Sequence, residues 1–339
     1  MSTKRQTLDS QPTHPRHILD GGMGHLLRRK GVPVSGAIGS MERFLNVALA
    51  NRNQKETVCE SHLDFLRAGA NVITTNNYAC VPSALALSPK SSPQLITDLI
   101  DAAGQIARQA CQLHVQEIPL NSTVPMVAGC VPPLHESYRP NRVGSESELT
   151  VEYAHIVEAI APHADLLLCE TMSSVREGKS AAQAANRAGI PVWIAWTLAE
   201  DASGKLRSGE SVEDAVRAVN SYENVQAMLF NCSSAASITA GLPQLREAAP
   251  IGMLLGSYAN GFQTVKVSGG GREDSSGGQS EYDGDSTPEM YAKQAQRWVE
   301  EGVEIIGGCC GIFPEHIHAI ERRLRRGLKT PPLSSAIPF

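Results

Sequence analysis

The sequence predicts an α/β fold, a single-domain (β/α)8 TIM barrel, from three observations. Eight short apolar segments recur along the chain, and segments with helical spacing of apolar residues lie between them. The eight segments are apolar on both faces, which is typical of parallel strands covered on both sides. No Gly-x-Gly-x-x-Gly motif follows the first strand, where residues 20–24 read Asp-Gly-Gly-Met-Gly. An open doubly wound sheet remains possible, but eight alternating units favour a barrel over it and over two domains.

The predicted elements alternate along the whole chain. The strands are expected at 18–19, 71–75, 125–131, 165–169, 191–198, 225–230, 251–255 and 303–306. Helices are expected at 54–68, 95–110, 146–163, 174–188, 211–220, 234–249, 291–299 and 314–326, the seventh with Thr287 as N-cap and Pro288 at its first position. Two stretches are predicted to be loops, 31–46 and 259–287. The second is rich in Gly, Ser and Asp, and we expect it to be a mobile loop over the barrel mouth.

We divide the chain into a flexible N-terminal segment (1–16), a barrel (17–326) and an extended tail (327–339). The formal net charge is -5 without a basic stripe, which argues against binding of nucleic acid. No apolar run approaches the roughly 18 residues of a membrane span, and residues 1–17 hold no apolar signal region. We therefore expect a cytoplasmic protein without a membrane partner. Eight cysteines in a reducing compartment are expected to be thiols, metal ligands or catalysts.

Three cysteines lie at predicted strand ends, where a barrel carries its catalytic residues. Cys232 follows one strand and Cys309-Cys310 another, with 76 residues between them. If these are the sixth and eighth strands, only one strand separates them, and three thiolates could meet at one Zn²⁺ ion with a fourth position open. The alternative is core packing, because the spacing matches no C-x2-C pattern. We assign the other five cysteines to packing: Cys59, Cys80, Cys111, Cys130 and Cys169.

Other strand ends also carry polar residues. Glu170 ends an apolar strand, where a carboxylate usually has a partner or a ligand. Asp20 has a simpler interpretation as a turn former, and Tyr78 as an aromatic of the rim. The histidines show no ligand spacing, and we expect His316 and His318 to lie on a solvated helix surface.

Together, five motifs resemble the zinc-dependent homocysteine S-methyltransferases over about residues 17–326. They are Asp-Gly-Gly-Met-Gly at 20–24, the segment 68–76, Glu-Thr at 170–171, Asn-Cys at 231–232 and Gly-Gly-Cys-Cys-Gly at 307–311. The resemblance implies a (β/α)8 barrel whose Zn²⁺ is held by three catalytic cysteines, Cys232, Cys309 and Cys310, with the homocysteine sulfur in the open position. It also implies substrate contacts from Asp20 and Glu170 to the amino group, with further contacts from Thr74, Tyr78 and Asn231.

The methyl donor is less directly indicated. A Leu-Trp-Ser of the sulfonium-using branch is absent at 39–45, and residues 258–261 read Tyr-Ala-Asn-Gly in place of the usual Tyr-Pro-Asn. Aromatic residues make up only 5% of the chain, its tryptophans lie in predicted strands and a helix, and 29 residues follow Cys310. Because quaternary ammonium groups usually bind in aromatic cages, we expect a small-molecule sulfonium donor, S-methylmethionine or S-adenosylmethionine. The alternatives are betaine, a corrinoid partner protein, a non-catalytic zinc-thiol binding protein and, least favoured, a redox disulfide of the adjacent cysteines.

Overall fold

Eight parallel strands form one sheet in the order β1-β8-β7-β6-β5-β4-β3-β2. A computed structural model describes residues 15–33, 41–88, 91–120, 122–261 and 286–327. The strands are β1 (His17–Ile18), β2 (Val72–Thr74), β3 (Met126–Val131), β4 (Leu166–Met172), β5 (Val192–Trp196), β6 (Val225–Asn231), β7 (Leu254–Tyr258) and β8 (Ile305–Ile306). A parallel bridge between Leu19 and Val72 joins the first and second strands, so the sheet closes on itself. The predicted (β/α)8 barrel is confirmed.

Helices surround the strands and connect each to the next. They are α1 (Met23–Arg29), α2 (Met41–Asn53), α3 (Lys55–Arg67), α4 (Pro82–Leu85), α5 (Pro93–Glu117), α6 (Glu146–Ile160), α7 (Val175–Asn186), α8 (Val212–Val219), α9 (Ala235–Ala248), α10 (Pro288–Glu300) and α11 (Pro314–Gly327). Several begin at a serine or threonine whose hydroxyl accepts a hydrogen bond from the first turn, as Ser234 does in α9 and the predicted Thr287 does in α10. In the described part of the chain, no helix is both long and apolar enough to cross a bilayer.

The apolar core has two layers. The larger lies between the strands and the helices, and the smaller fills the barrel interior with side chains such as Leu168, Trp193, Leu229 and Ile305. The interior is therefore packed rather than open, as in other barrels of this type. Polar side chains lie above this layer, at the carboxyl ends of the strands.

Three sequence predictions differ from the structure. The seventh strand is not at 251–255 but at Leu254–Tyr258, because Gly252 has a φ of 88° and Ile251 is 77% exposed in the turn before it. β4 continues beyond Cys169 to Met172, through a register shift against β5. The predicted loop at 31–46 is partly helical, since α2 begins at Met41.

Parts of four predictions lie outside the described residues. These are the loop residues 34–40, most of the 259–287 loop, most of the N-terminal segment and the tail beyond residue 327. Of the predicted tail, only Gly327 is described, and it ends α11.

Candidate metal centre and substrate pocket

Cys232, Cys309 and Cys310, here called the cysteine cluster, meet at the carboxyl end of the barrel. Their Sγ atoms all lie within 4.8 Å of one another, and the Sγ atoms of Cys232 and Cys310 are 4.0 Å apart. Cys232 directly follows β6 and the other two follow β8, so only β7 lies between them. The predicted convergence of sequence-distant cysteines is therefore present.

The backbone of the cysteine cluster is held tightly. Cys232 has a φ of 49°, which is uncommon for a residue with a Cβ atom and marks stored strain. The Cys309 amide donates to the Ala259 carbonyl (2.9 Å), and the Gly261 amide donates to the Cys310 carbonyl (2.8 Å). Main-chain hydrogen bonds to the segment after β7 thus fix the position of the cysteine pair at the carboxyl end of the barrel.

The glycines before the cysteine pair serve close packing, not a sharp turn. Neither Gly307 nor Gly308 has a positive φ, whereas Gly311 does, at 75°. A Cβ on Gly307 would lie 2.5 Å from the Cβ of Leu19, and one on Gly308 would collide with the Ile312 side chain. Close approach of neighbouring side chains therefore explains why both positions hold glycine.

The donor set fits a tetrahedral thiolate-bound metal ion. Zn–S bonds of about 2.3 Å place sulfurs roughly 3.8 Å apart in a tetrahedron, close to the 4.0 Å between Cys232 and Cys310. Hydrogen bonds with Cys232 and Cys310, together with burial, raise the pKa of the Cys309 thiol. Three sulfurs this close together, that of the buried Cys232 and those of the half-buried Cys309 and Cys310, therefore resist becoming thiolates together unless a cation lies between them.

Two buried carboxyl groups face the same pocket. Asp20, which is 4% exposed, accepts hydrogen bonds from the Thr74 amide (2.8 Å) and the Thr74 hydroxyl (3.1 Å). Glu170, which is 8% exposed, accepts from the Cys130 thiol (3.1 Å) and the Tyr258 hydroxyl (3.4 Å). Burial raises the pKa of Asp20 to about 8 and that of Glu170 to about 7. A bound cation would favour the ionised form of both.

Asn231 lies behind Glu170 and is fully buried. Its side chain accepts from the Thr171 amide (2.9 Å) and donates to the Thr171 hydroxyl (2.9 Å) and to Glu170 Oε2 (3.4 Å). Thr171 has a φ of 61°, an unfavourable value for a β-branched residue. Asn231 therefore stabilises the strained backbone at Thr171, the residue that follows Glu170 in β4.

A cavity of about 160 Å³ brings these groups together. Of the site residues expected from the sequence, all but Asn231 line it: Asp20, Thr74, Tyr78, Glu170, Cys232, Cys309 and Cys310. Tyr78 is held by a 2.6 Å hydrogen bond between its hydroxyl and that of Ser137. The carboxyl groups and the cysteine cluster thus line the same cavity.

Sequence reasoning missed three further aromatic rings in the cavity wall, those of Phe44, Tyr138 and Tyr258. Phe44 lies on α2, which was expected to be a loop, and Tyr258 ends a strand that was placed three residues too early. Tyr138 has a φ of 65° and carries the guanidinium of Arg207 4.9 Å above its ring. Four aromatic residues therefore line the cavity even though the aromatic content of the chain is low. The three tryptophans lie where they were expected, Trp193 and Trp196 in β5 and Trp298 in α10.

Two smaller expectations also need correction. His316 was placed on a solvated surface, but it is 6% exposed and its Nδ1 accepts from the Phe313 amide, whereas His318 is exposed as predicted. Cys130 was assigned to packing alone, yet its thiol donates to Glu170. The strand alternation of β3 places Cys130 on the same face as the interior Ala128, and this signal could have identified it.

Comparison with known proteins supports a common origin over nearly the whole chain. The sequence model of the family described as homocysteine S-methyltransferase matches residues 17–324. The homocysteine S-methyltransferase YbgG of Bacillus subtilis is 25% identical, over 94% of this chain and 97% of its own. The betaine-homocysteine S-methyltransferase of Drosophila melanogaster is 27% identical, over 82% of this chain and 86% of its own.

A solved structure agrees with these sequence matches. The homocysteine methyltransferase MmuM of Escherichia coli, in a metallated form, superposes with a TM-score of 0.73 and 26% identity, covering 91% of this chain and 96% of that one. The chain therefore belongs to the homocysteine S-methyltransferase family, a family of methyltransferases.

Proposed function

We propose that this protein transfers a methyl group from a small-molecule onium donor to the sulfur of homocysteine, producing methionine. One observation carries the proposal: a cluster of three cysteines shares one cavity with two buried carboxyl groups. Homocysteine carries a thiol and an ammonium group, which match these two features. The names of the relatives support the same substrate.

We propose Zn²⁺ as the metal, held by Cys232, Cys309 and Cys310. When bound, zinc supplies a Lewis acid that keeps a coordinated thiol deprotonated at neutral pH. Three cysteine ligands leave one position for the substrate sulfur. With the ion bound, the homocysteine thiol would release its proton to solvent, so no side chain would be required as a base.

The carboxyl groups orient the amino acid. Asp20 is fixed by Thr74, and Glu170 is fixed by Cys130, Tyr258 and Asn231. The substrate ammonium brings a positive charge to two groups whose pKa values are raised by burial. Binding therefore favours ionisation of these groups and aims the thiol towards the cysteine cluster.

The methyl group moves in one displacement. The homocysteine thiolate forms a bond to the methyl carbon while the bond from that carbon to the donor's onium atom breaks, and the electron pair of the broken bond stays on the donor. Opposite charges are neutralised as the new bond forms, so an enclosed pocket strengthens the attraction between the partners. The rings of Phe44, Tyr78, Tyr138 and Tyr258 line the cavity, and we propose that they contact the cationic donor before transfer.

Within the onium class we propose a sulfonium, S-methylmethionine or S-adenosylmethionine. A thioether leaves a methyl group more readily than a tertiary amine does, so less stabilisation is required from the protein. Betaine is the second candidate, because the four rings around the cavity offer the kind of surface that binds quaternary ammonium. The Drosophila relative is named for betaine, which supports including betaine beside the sulfonium donors in the test.

A donor panel tests the proposal. The purified zinc-loaded protein is given deuterated homocysteine with S-methylmethionine, S-adenosylmethionine or betaine at equal concentration, and heavy methionine is measured by mass spectrometry. We expect turnover without a partner protein, fastest with a sulfonium. Faster turnover with betaine would reverse the donor assignment, and no heavy methionine from any donor would overturn the proposed function.

A further inference from the structure

His25 contacts the loop that carries two of the three cysteines. Its Nδ1 atom accepts a hydrogen bond from the Gly311 amide at 2.6 Å, across 286 residues of sequence. His25 lies on α1, is 7% exposed and forms part of the cavity wall. The transfer reaction described above gives this histidine no part.

Gly311 directly follows Cys310 and adopts a φ of 75°. In this left-handed conformation the chain reverses after the cysteine pair, and the Ile312 amide returns to the Cys309 carbonyl (3.1 Å). The Ile312 carbonyl accepts from the Gly22 amide (2.8 Å), just before α1. The start of α1 therefore holds both sides of the turn.

The hydrogen bond also defines the ionisation state of His25. Because Nδ1 accepts a hydrogen bond, the ring is neutral and its proton is on Nε2. The nitrogen lone pair is used by the Gly311 amide and is not available to take a proton from a substrate thiol. The geometry is that of a structural acceptor, not of a general base.

We propose that His25 is a positioning residue for the metal centre, holding Gly311 in its left-handed turn and thereby the Cys310 sulfur at coordinating distance. A buried amide that loses its acceptor either stays unpaired or pulls the loop out of place. Groups that orient metal ligands typically change metal affinity about 10- to 100-fold when removed. The metal in this inference is the zinc of the proposed function.

The test compares three variants at position 25. Asn can place its side-chain oxygen near the Nδ1 position, whereas Gln places its polar group further out and Leu has no acceptor. The exposed His318→Leu on α11 is the matched control. Zinc release from loaded protein into a chromogenic chelator is the readout. We expect release about tenfold faster in His25→Leu and His25→Gln, and rates near wild type in His25→Asn and His318→Leu.

A second measurement needs neither metal nor activity. Amide hydrogen exchange of the peptide containing Gly311 is followed in metal-free protein. It should accelerate in His25→Leu and His25→Gln but not in His25→Asn. Equal exchange and equal zinc release in His25→Gln and wild type would overturn the proposal, as would an Asn variant that behaves like Gln. A wild type that retains zinc but does not methylate homocysteine would overturn the proposed function while leaving this comparison intact.

Discussion

The cysteine cluster is held mainly by main-chain hydrogen bonds, whereas the carboxyl groups of Asp20 and Glu170 are held mainly by side chains. Ala259 and Gly261 fix the cysteine pair through their backbone groups. Thr74, Cys130 and Asn231 use side-chain atoms to position the carboxyl groups. The cysteine pair therefore depends on the path of the main chain, whereas the carboxyl groups can be adjusted one side chain at a time.

The largest effect is expected on the cysteine side. Replacing Cys309 with Ala removes one of three sulfurs that lie within 4.8 Å of one another, so activity should fall to background. Zinc content, measured by elemental analysis, should fall with it. Cys111→Ala is the control, since Cys111 is buried on α5 outside the cavity. Full activity in Cys309→Ala would show that the cluster is not the reaction centre.

A smaller effect is expected on the carboxyl side. Glu170→Gln keeps the size of the side chain but removes the charge proposed to bind the substrate ammonium. Charge-assisted hydrogen bonds are worth about 1.5–3 kcal/mol, so the KM for homocysteine should rise about tenfold or more. Zinc content should stay unchanged, which would show that Glu170 acts on substrate binding and not on the metal site.

The matched control for Glu170 is Glu177→Gln. Glu177 is also buried and its pKa is also raised to about 7, but it binds Ser173 at the start of α7 and does not line the cavity. Its replacement should change thermal stability and not the KM. An unchanged KM in Glu170→Gln would remove Glu170 from the substrate site.

The pH dependence of stability sharpens the same comparison. Burial raises the pKa of Asp20 to about 8, so metal-free folded protein keeps a proton that the unfolded chain loses near pH 4. At this position the folded state binds more protons in this window, so the contribution of Asp20 to stability should fall as pH rises from about 4 to about 8. Asp20→Asn should flatten that slope, as measured by Tm of the metal-free protein across the range. Parallel slopes in variant and wild type would contradict the burial argument.

The smallest effect is expected at Cys130. Its thiol donates to Glu170 from the interior face of β3, and Ala removes this donor while Tyr258 and Asn231 remain. A net hydrogen bond of about 1 kcal/mol corresponds to a rise of roughly fivefold in the KM for homocysteine. Cys169→Ala, a buried cysteine of the outer core, is the control. Equal KM values in the two variants would return Cys130 to a packing role.

The sequence predicted the barrel and the cysteine cluster because both follow from local patterns. Apolar segments alternating with helical spacing indicate parallel strands, and the carboxyl ends of such strands converge at one face. Cys232 and Cys309-Cys310 could therefore be brought together from their places after the sixth and eighth strands. Glu170 was singled out by the same rule, even though β4 extends past it, whereas the substrate role expected for Asp20 came from the family resemblance.

Only the tertiary structure decided which side chains from different loops share the cavity. His25 meets Gly311 across 286 residues, and Tyr138 reaches the cavity from a connection without periodicity. Phe44 lies on α2 and lines the cavity. Which side of α2 is buried depends on the elements that pack against it, and the sequence of α2 alone does not specify those. Strand ends have a position that the alternation of elements predicts, but loop residues reach a site through backbone angles and contacts that arise only when distant segments pack. The cysteine cluster was therefore predictable from the sequence, whereas the aromatic wall and the acceptor for Gly311 were not.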